Sequence, residues 1–129
     1  TVFFGEPSSE YQRIYKLVMD SQAAGIAAMR AGQATAAQVD AAARSVIAEA
    51  GYGEEFRHRL GHGIGMDVHE PPFLTSDDET VLQAGMLFTV EPSIMQFDDF
   101  SARVEDVVVA RESGGEALTA GYQEMRIVE

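Results

Sequence analysis

The spacing of apolar residues changes character near the middle of the chain. Over residues 8–31, Tyr11, Ile14, Tyr15, Val18, Gly25 and Ala28 recur near one face at helical intervals. This predicts a helix preceded by Pro7, capped by Ser8 or Ser9 and closed by Gly32. A second helix is predicted next, because Thr35-Ala36-Ala37-Gln38 is a capping-box pattern and Val39, Ala43, Val46, Ile47 and Ala50 follow at intervals of three and four up to Gly51. Its many alanines suit close packing on something flat. Beyond Gly51 the pattern shortens to β segments between glycine-rich turns. Residues 87–91 and 103–109 are predicted strands, residues 125–128 a last one, and Ser113-Gly114-Gly115 a hairpin turn. The opening Thr1-Val2-Phe3-Phe4-Gly5 lacks a starting Met and reads as a strand entered midway. Helix, helix, sheet is the order of an α+β fold, with two helices packed on a mainly antiparallel sheet.

Composition narrows the partners. The 129 residues are one core's worth of chain, 46% of them apolar. Twenty-one acidic side chains against nine Lys and Arg give a formal charge of -12, which disfavours nucleic acid and anionic membrane surfaces as partners. No apolar run approaches the about 20 residues of a spanning helix, and the first residues lack the basic start of a signal peptide. With no Cys, any metal must be held by His and carboxylates; the composition suits the cytoplasm.

All three histidines fall within residues 58–69. His58 and His62 are four apart, as in a helical zinc pair, but Gly61, Gly63 and Gly65 are poor helix residues, and neither a helix nor a Lys follows as a phosphate loop requires. The glycines fit better where backbone must approach a site closely. In the strand over residues 103–109 a period of two places Arg103, Glu105, Val107 and Val109 on one face, where a charge must be paired or bound to metal. Leu87, Thr89 and Glu91 share a face of the preceding strand, which Pro92 ends. Two strand-borne Glu and one imidazole make a donor set for Mn²⁺, Co²⁺, Fe²⁺ or Zn²⁺. Taken alone, Glu105 reads as solvent-facing, but Arg103 and the histidine cluster reverse that reading; Asp106 is assigned no role, and Asp77-Asp78-Glu79 is a solvated loop. Phe3, Phe4, Tyr11, Tyr15, Phe56, Phe88 and Phe100 are expected in the core, with Tyr52 and Phe73 as the aromatics placed to touch a substrate.

At these residues the chain resembles a known family. Gly61-His62-Gly63-Ile64-Gly65 with His69-Glu70-Pro71, then Gly85-Met86-Leu87-Phe88-Thr89-Val90-Glu91-Pro92, then Arg103-Val104-Glu105-Asp106, resemble the ordered signatures of the pita-bread metallopeptidases. These include Xaa-Pro aminopeptidases, Xaa-Pro dipeptidases and methionine aminopeptidases. The resemblance implies a pita-bread fold with a curved sheet. It also implies His62, Glu91 and Glu105 as metal ligands, and His69 as a catalytic and substrate-binding histidine that stabilises the oxyanion. His58 and Arg103 resemble the Xaa-Pro branch, with His58 lining the substrate pocket, Glu91 shuttling a proton besides ligating, and His58, Glu91 and Arg103 implied with His69 as the catalytic residues. The activity implied is hydrolysis of Xaa-Pro peptide bonds by a metal-bridging hydroxide between two divalent ions, Mn first, with Co, Zn or Fe as alternatives. A peptide with Pro at the second position is the implied substrate and a homodimer the implied assembly of the full-length protein. Two positions depart from the pattern: Ser93 follows Glu91-Pro92 where the family has Gly, and Ser101 stands where a Gly commonly precedes the Arg region. The two aspartates that the family supplies from an earlier hairpin are not among these residues. Residues 1–129 are therefore expected to be the C-terminal portion of a catalytic domain, binding one metal ion or none and inactive or nearly so alone. The rival readings are a methionine-type aminopeptidase, a creatinase-like hydrolase, and a non-catalytic pita-bread module that binds peptide or protein.

Overall fold

The computed structural model describes residues 1–129 apart from Asp98, Ala120, Tyr122 and Gln123. Helix α1 spans Ser9–Ala28 and α2 spans Ala36–Glu49. Ser8 caps α1 by accepting from the Tyr11 amide, and Thr35 and Gln38 form the full capping box of α2. Tyr11, Ile14, Tyr15, Val18 and Gly25 lie on the buried face as their spacing predicts. Ala28, the last residue of α1, is only half-buried, and two residues on, Arg30 bridges to Arg111. In α2, Val39, Ala43 and Ile47 are buried, Val46 half-buried and Ala50 exposed. The helices meet closely: a Cβ on Gly25 would sit 3.2 Å from the Ala43 methyl, and the Ser21 hydroxyl donates to the Ala43 carbonyl at 2.8 Å.

The strands are β1 (Val2–Phe4), β2 (Gly61–Gly63), β3 (Glu70–Leu74), β4 (Leu87–Val90), β5 (Ser93–Gln96), β6 (Phe100–Arg103), β7 (Asp106–Arg111), β8 (Gly114–Ala117) and β9 (Arg126–Val128). Five form an antiparallel sheet in the order β3-β2-β4-β7-β8. Strands β5 and β6 make a separate antiparallel ribbon, and β1 pairs with β9 in parallel, an exception to the expected antiparallel pattern. Helix α1 packs on β4, β6 and β8, and α2 on β3, enclosing a core of Ile14, Val18, Ile47, Leu60, Leu74, Phe88, Val90, Ile94 and Val108.

Three expectations need correction. The strand over residues 103–109 is broken: β6 ends at Arg103, Val104 turns into the core, Glu105 is exposed, and β7 starts at Asp106 in the other sheet. Arg103 and Glu105 therefore do not share a strand face. The β7–β8 turn is made by Glu112 and Ser113, with Gly114 already in β8 at a φ of 129°, which favours glycine. Phe4 is 80% exposed, since its two-stranded pair with β9 leaves one face uncovered.

Gly61 requires glycine for space. Its φ is ordinary, but a Cβ there would overlap the Thr89 carbonyl oxygen of the neighbouring strand, and a Cβ on Gly63 would lie 2.5 Å from the Glu70 carbonyl oxygen. Gly61→Ala is expected to destabilise the protein by about 3 kcal/mol, since a backbone group cannot swing aside as a side chain would. Chemical denaturation of the two forms measures it, and an unchanged midpoint would show that β2 can move away from β4 freely.

Candidate active site

The histidine-bearing segment is held from beneath by α2. Asp40 is 1% exposed and receives Arg44 bidentately, Nε to Oδ2 at 2.8 Å and Nη2 to Oδ1 at 2.7 Å. Arg44 also donates to the carbonyls of Phe56 and His58 at 2.8 and 2.9 Å and stacks over the Phe56 ring, while Asp40 Oδ1 accepts the Leu60 amide at 3.1 Å. One buried ion pair thus fixes three backbone positions among residues 56–60. The chain then enters β2, where the His62 amide donates to Thr89 Oγ1 at 3.1 Å and the Thr89 hydroxyl donates to Glu91 Oε1 at 3.0 Å. The Glu91 amide closes the arrangement on the Leu60 carbonyl at 2.8 Å.

These contacts bring His62 and Glu91 together. His62 is 4% exposed, and its Nδ1–H donates to the Gly63 carbonyl at 2.9 Å, so Nε2 is the ring nitrogen left to face Glu91 Oε1, at 3.3 Å. The exposed His69 ring lies 4.2 Å from the His62 ring, centroid to centroid. Arg103 Nη1 stands 3.4 Å from Glu91 Oε2, and its Nη2 points at His58 Nε2 from 3.1 Å. His58 Nδ1–H donates to the Arg59 carbonyl at 2.6 Å, and Nε2 receives the Ser93 hydroxyl at 2.5 Å. Burial of His58, helped by the Arg103 charge and opposed by the bond to the Arg59 carbonyl, pulls its pKa below the usual histidine value. The neutral ring is favoured. His58, Arg59, His62, His69, Glu91 and Arg103 line a single open cleft of about 380 Å³.

Of the residues singled out from sequence, His58, His62, His69, Glu91 and Arg103 converge here, but Glu105 does not. Glu105 lines a second cavity of about 500 Å³ with Thr1, Gln22 and Asp106, and Arg103 borders both cavities. Asp106, given no role above, is half-buried there and accepts from Gln22 Nε2 and the Thr119 hydroxyl. Tyr52 instead receives Arg13 at its hydroxyl, and Phe73 lies under Arg59 beside Asp77 and Asp78; neither lines the cleft. Among the described residues no three His, Asp or Glu side chains gather closely enough to hold a metal ion. The donor chemistry of His62 and Glu91 nevertheless fits a divalent cation. With Nδ1–H committed to a carbonyl, Nε2 is left to face a carboxylate oxygen at 3.3 Å, a pair that a shared proton or a shared cation bridges.

Sequence reasoning missed the supporting residues. Thr89 was placed on the face of Glu91 but not recognised as its hydrogen-bond donor, and the Asp40–Arg44 pair looks in sequence like an ordinary i, i+4 surface pair.

Comparison with known proteins gives the architecture its class, the pita-bread peptidases. The chain superposes on the X-Pro aminopeptidase from Thermotoga maritima with a TM-score of 0.93 at 39% identity, over 98% of this chain and 36% of that one. On the dipeptidase PepE from Mycobacterium ulcerans the TM-score is 0.94 at 43% identity, over 98% and 34%. The chain belongs to metallopeptidase family M24, whose family model matches residues 1–112. It is also 39% identical over 125 residues to the Xaa-Pro dipeptidase of Pyrococcus horikoshii, covering 97% of this chain and 35% of that relative. The chain thus spans about a third of the length of the relatives it matches.

Two substitutions separate the supports from the site. Asp40→Ala leaves the half-buried Arg44 without its counter-charge and the Leu60 amide with the Leu74 carbonyl alone, and is expected to cost about 1 to 3 kcal/mol in a denaturation experiment. Thr89→Val keeps the shape but removes the acceptor of the His62 amide and the donor to Glu91. About 1 to 3 kcal/mol of stability should be lost. A calorimetric midpoint equal to that of the unaltered protein would show that neither bond contributes.

Proposed function

We propose that the cleft is part of the active site of a metal-dependent exopeptidase that cleaves Xaa-Pro bonds, as an aminopeptidase or a dipeptidase, and that this chain works within a longer protein. The observation that carries the reading is the His62–Glu91 pair, an imidazole nitrogen and a carboxylate oxygen at 3.3 Å in a cleft whose remaining walls are cationic or imidazole groups. Family membership and the Xaa-Pro names of relatives support the reaction class. The shared length of about a third supports the longer parent.

His62 and Glu91, with Glu105 as a further ligand in the complete protein, would hold divalent cations, which when bound would lower the pKa of a water molecule. Glu91, its Oε1 kept in place by the Thr89 hydroxyl, would accept a proton from the attacking water. His69, exposed beside His62, donates to the peptide carbonyl oxygen as negative charge develops there. His58 and Arg103, which line the same cleft, contact the rest of the substrate. Mn²⁺ is the first candidate metal. The 129-residue chain brings together only His62 and Glu91 of the three proposed ligands, so full activity is assigned to the whole protein. A cytoplasmic homodimer completes the reading, supported by the absence of cysteine for the compartment and by the resemblance for the assembly.

The test assays the full-length protein with Mn²⁺ on Xaa-Pro dipeptides and on longer Xaa-Pro peptides, with bound metal measured in parallel. Cleavage of one class with metal uptake is expected; no uptake and no cleavage of either would refute the reading. Glu105→Gln in that protein should lower kcat/KM at least about 100-fold, the upper end of what removing even an outer partner of a metal costs. Because Glu105 is exposed, its stability should change by less than about 0.5 kcal/mol. Unchanged turnover would remove Glu105 from the site.

A further inference from the structure

Ser93 opens β5 directly after Glu91-Pro92 and is fully buried. The partner of its hydroxyl among the described residues is His58 Nε2, at 2.5 Å. The direction of that bond follows from the other side of the ring. His58 Nδ1–H donates to the Arg59 carbonyl at 2.6 Å, so Nε2 carries the ring lone pair and the Ser93 hydroxyl donates into it. Arg103 Nη2 approaches the same nitrogen at 3.1 Å. One lone pair serves one good donor, and the shorter contact belongs to Ser93.

The competition has a consequence for Arg103. Its Nη1 lies 3.4 Å from Glu91 Oε2, and its Nε is buried without a hydrogen-bond partner among the described residues. With Nε2 of His58 already filled, the guanidinium is not drawn wholly to the imidazole and keeps donors for Glu91 and for the cleft. The glycine that the resembled family carries at this position has no donor, and His58 would then depend on Arg103 alone. The hydroxyl is no nucleophile, because a fully buried Oγ offers no approach to a substrate atom.

We propose that Ser93 is a positioning residue, which locks the His58 ring in one orientation and tautomer and, by filling Nε2, leaves Arg103 free to serve Glu91 and an oxygen of the bound ligand. The contact stands on the geometry alone, while its effect on turnover rests on the peptidase reading above.

The two are tested separately in the full-length protein labelled with ¹⁵N in its histidine rings. The His58 signal, assigned by its loss in His58→Gln, is expected to show the Nδ1–H tautomer with a hydrogen-bonded Nε2. In Ser93→Ala and Ser93→Gly the Nε2 resonance should shift as the hydroxyl donor gives way to the Arg103 guanidinium, and Ser93→Thr should restore it. Should the Thr methyl not fit, the Ala and Gly variants carry the test and should agree. With an Xaa-Pro dipeptide, Ser93→Ala is expected to raise KM about five- to tenfold, the effect of one lost hydrogen bond, with kcat within about twofold. An Nε2 resonance indifferent to the hydroxyl would overturn the proposal whatever the protein cleaves. A fall in kcat with unchanged KM would overturn it as well. A shifted resonance in a protein that cleaves no Xaa-Pro peptide supports the Ser93 contact and counts against the peptidase reading alone.

Discussion

How closely β2 runs beside β4 decides what the site can be. At Gly61 the two backbones come near enough to leave no room for a Cβ, and every contact between the imidazole and the carboxylate is built on that approach. The His62 amide reaches the Thr89 side chain, the same side chain reaches Glu91, and the Glu91 amide reaches back to Leu60. The 3.3 Å between His62 Nε2 and Glu91 Oε1 is thus set by backbone geometry and two hydrogen bonds, not by attraction between the side chains themselves. A site held in this way keeps its shape when the charge inside it changes, as a centre that exchanges ligands must.

A second constraint acts from below. Burying Asp40 would be costly if it were unpaired, but its two oxygens receive two Arg44 donors and the Leu60 amide. Arg44 has donors left over, and these go to the Phe56 and His58 carbonyls, in a stretch with no ladder partners before Leu60. Irregular backbone must find hydrogen-bond partners somewhere, and here a helix side chain provides them. The acidity of the chain therefore has a structural component: most of the twenty-one acids keep the surface charged, while Asp40 ties α2 to the site.

The features legible in sequence are those whose causes are local. Ser8 and the Thr35–Gln38 box announce their helices because a cap is satisfied within four residues, and β4 is a short run of β-formers that ends at Glu91-Pro92. The break at residues 104 and 105 was not legible. Valines at 104, 107, 108 and 109 read as one unbroken strand, and nothing within them says that the chain leaves β6 for another sheet; the partners decide that, Ser93 for Arg103 and Val90 for Asp106. Asp40 and Arg44 were hidden for a related reason, since an i, i+4 pair looks the same whether or not residues 56–60 fold over it. Clustering of the histidines was visible, but their convergence with Glu91 and Arg103 could be read only through the family resemblance, because it depends on which strands are neighbours.

The cleft has two unlike sides, and the difference indicates how it would take a ligand. On the inner side His62 is buried, with Nδ1 bonded to the Gly63 carbonyl and Nε2 facing Glu91, and behind that lining the buried Ser93 and Thr89 hydroxyls are bonded to His58 and Glu91. On the outer side Arg59 and His69 are exposed; Arg59 stacks on Phe73, and His69 rests against the His62 ring. Fixed groups on one side require little reorganisation when charge develops, whereas exposed groups on the other can close on a bound molecule at small cost in burial. Arg103 belongs to both, half-buried and shared between His58 and Glu91. A ligand oxygen competing for its guanidinium would therefore be felt at Glu91, so occupancy of the outer side is coupled to the carboxylate through one residue and needs no movement of the sheet.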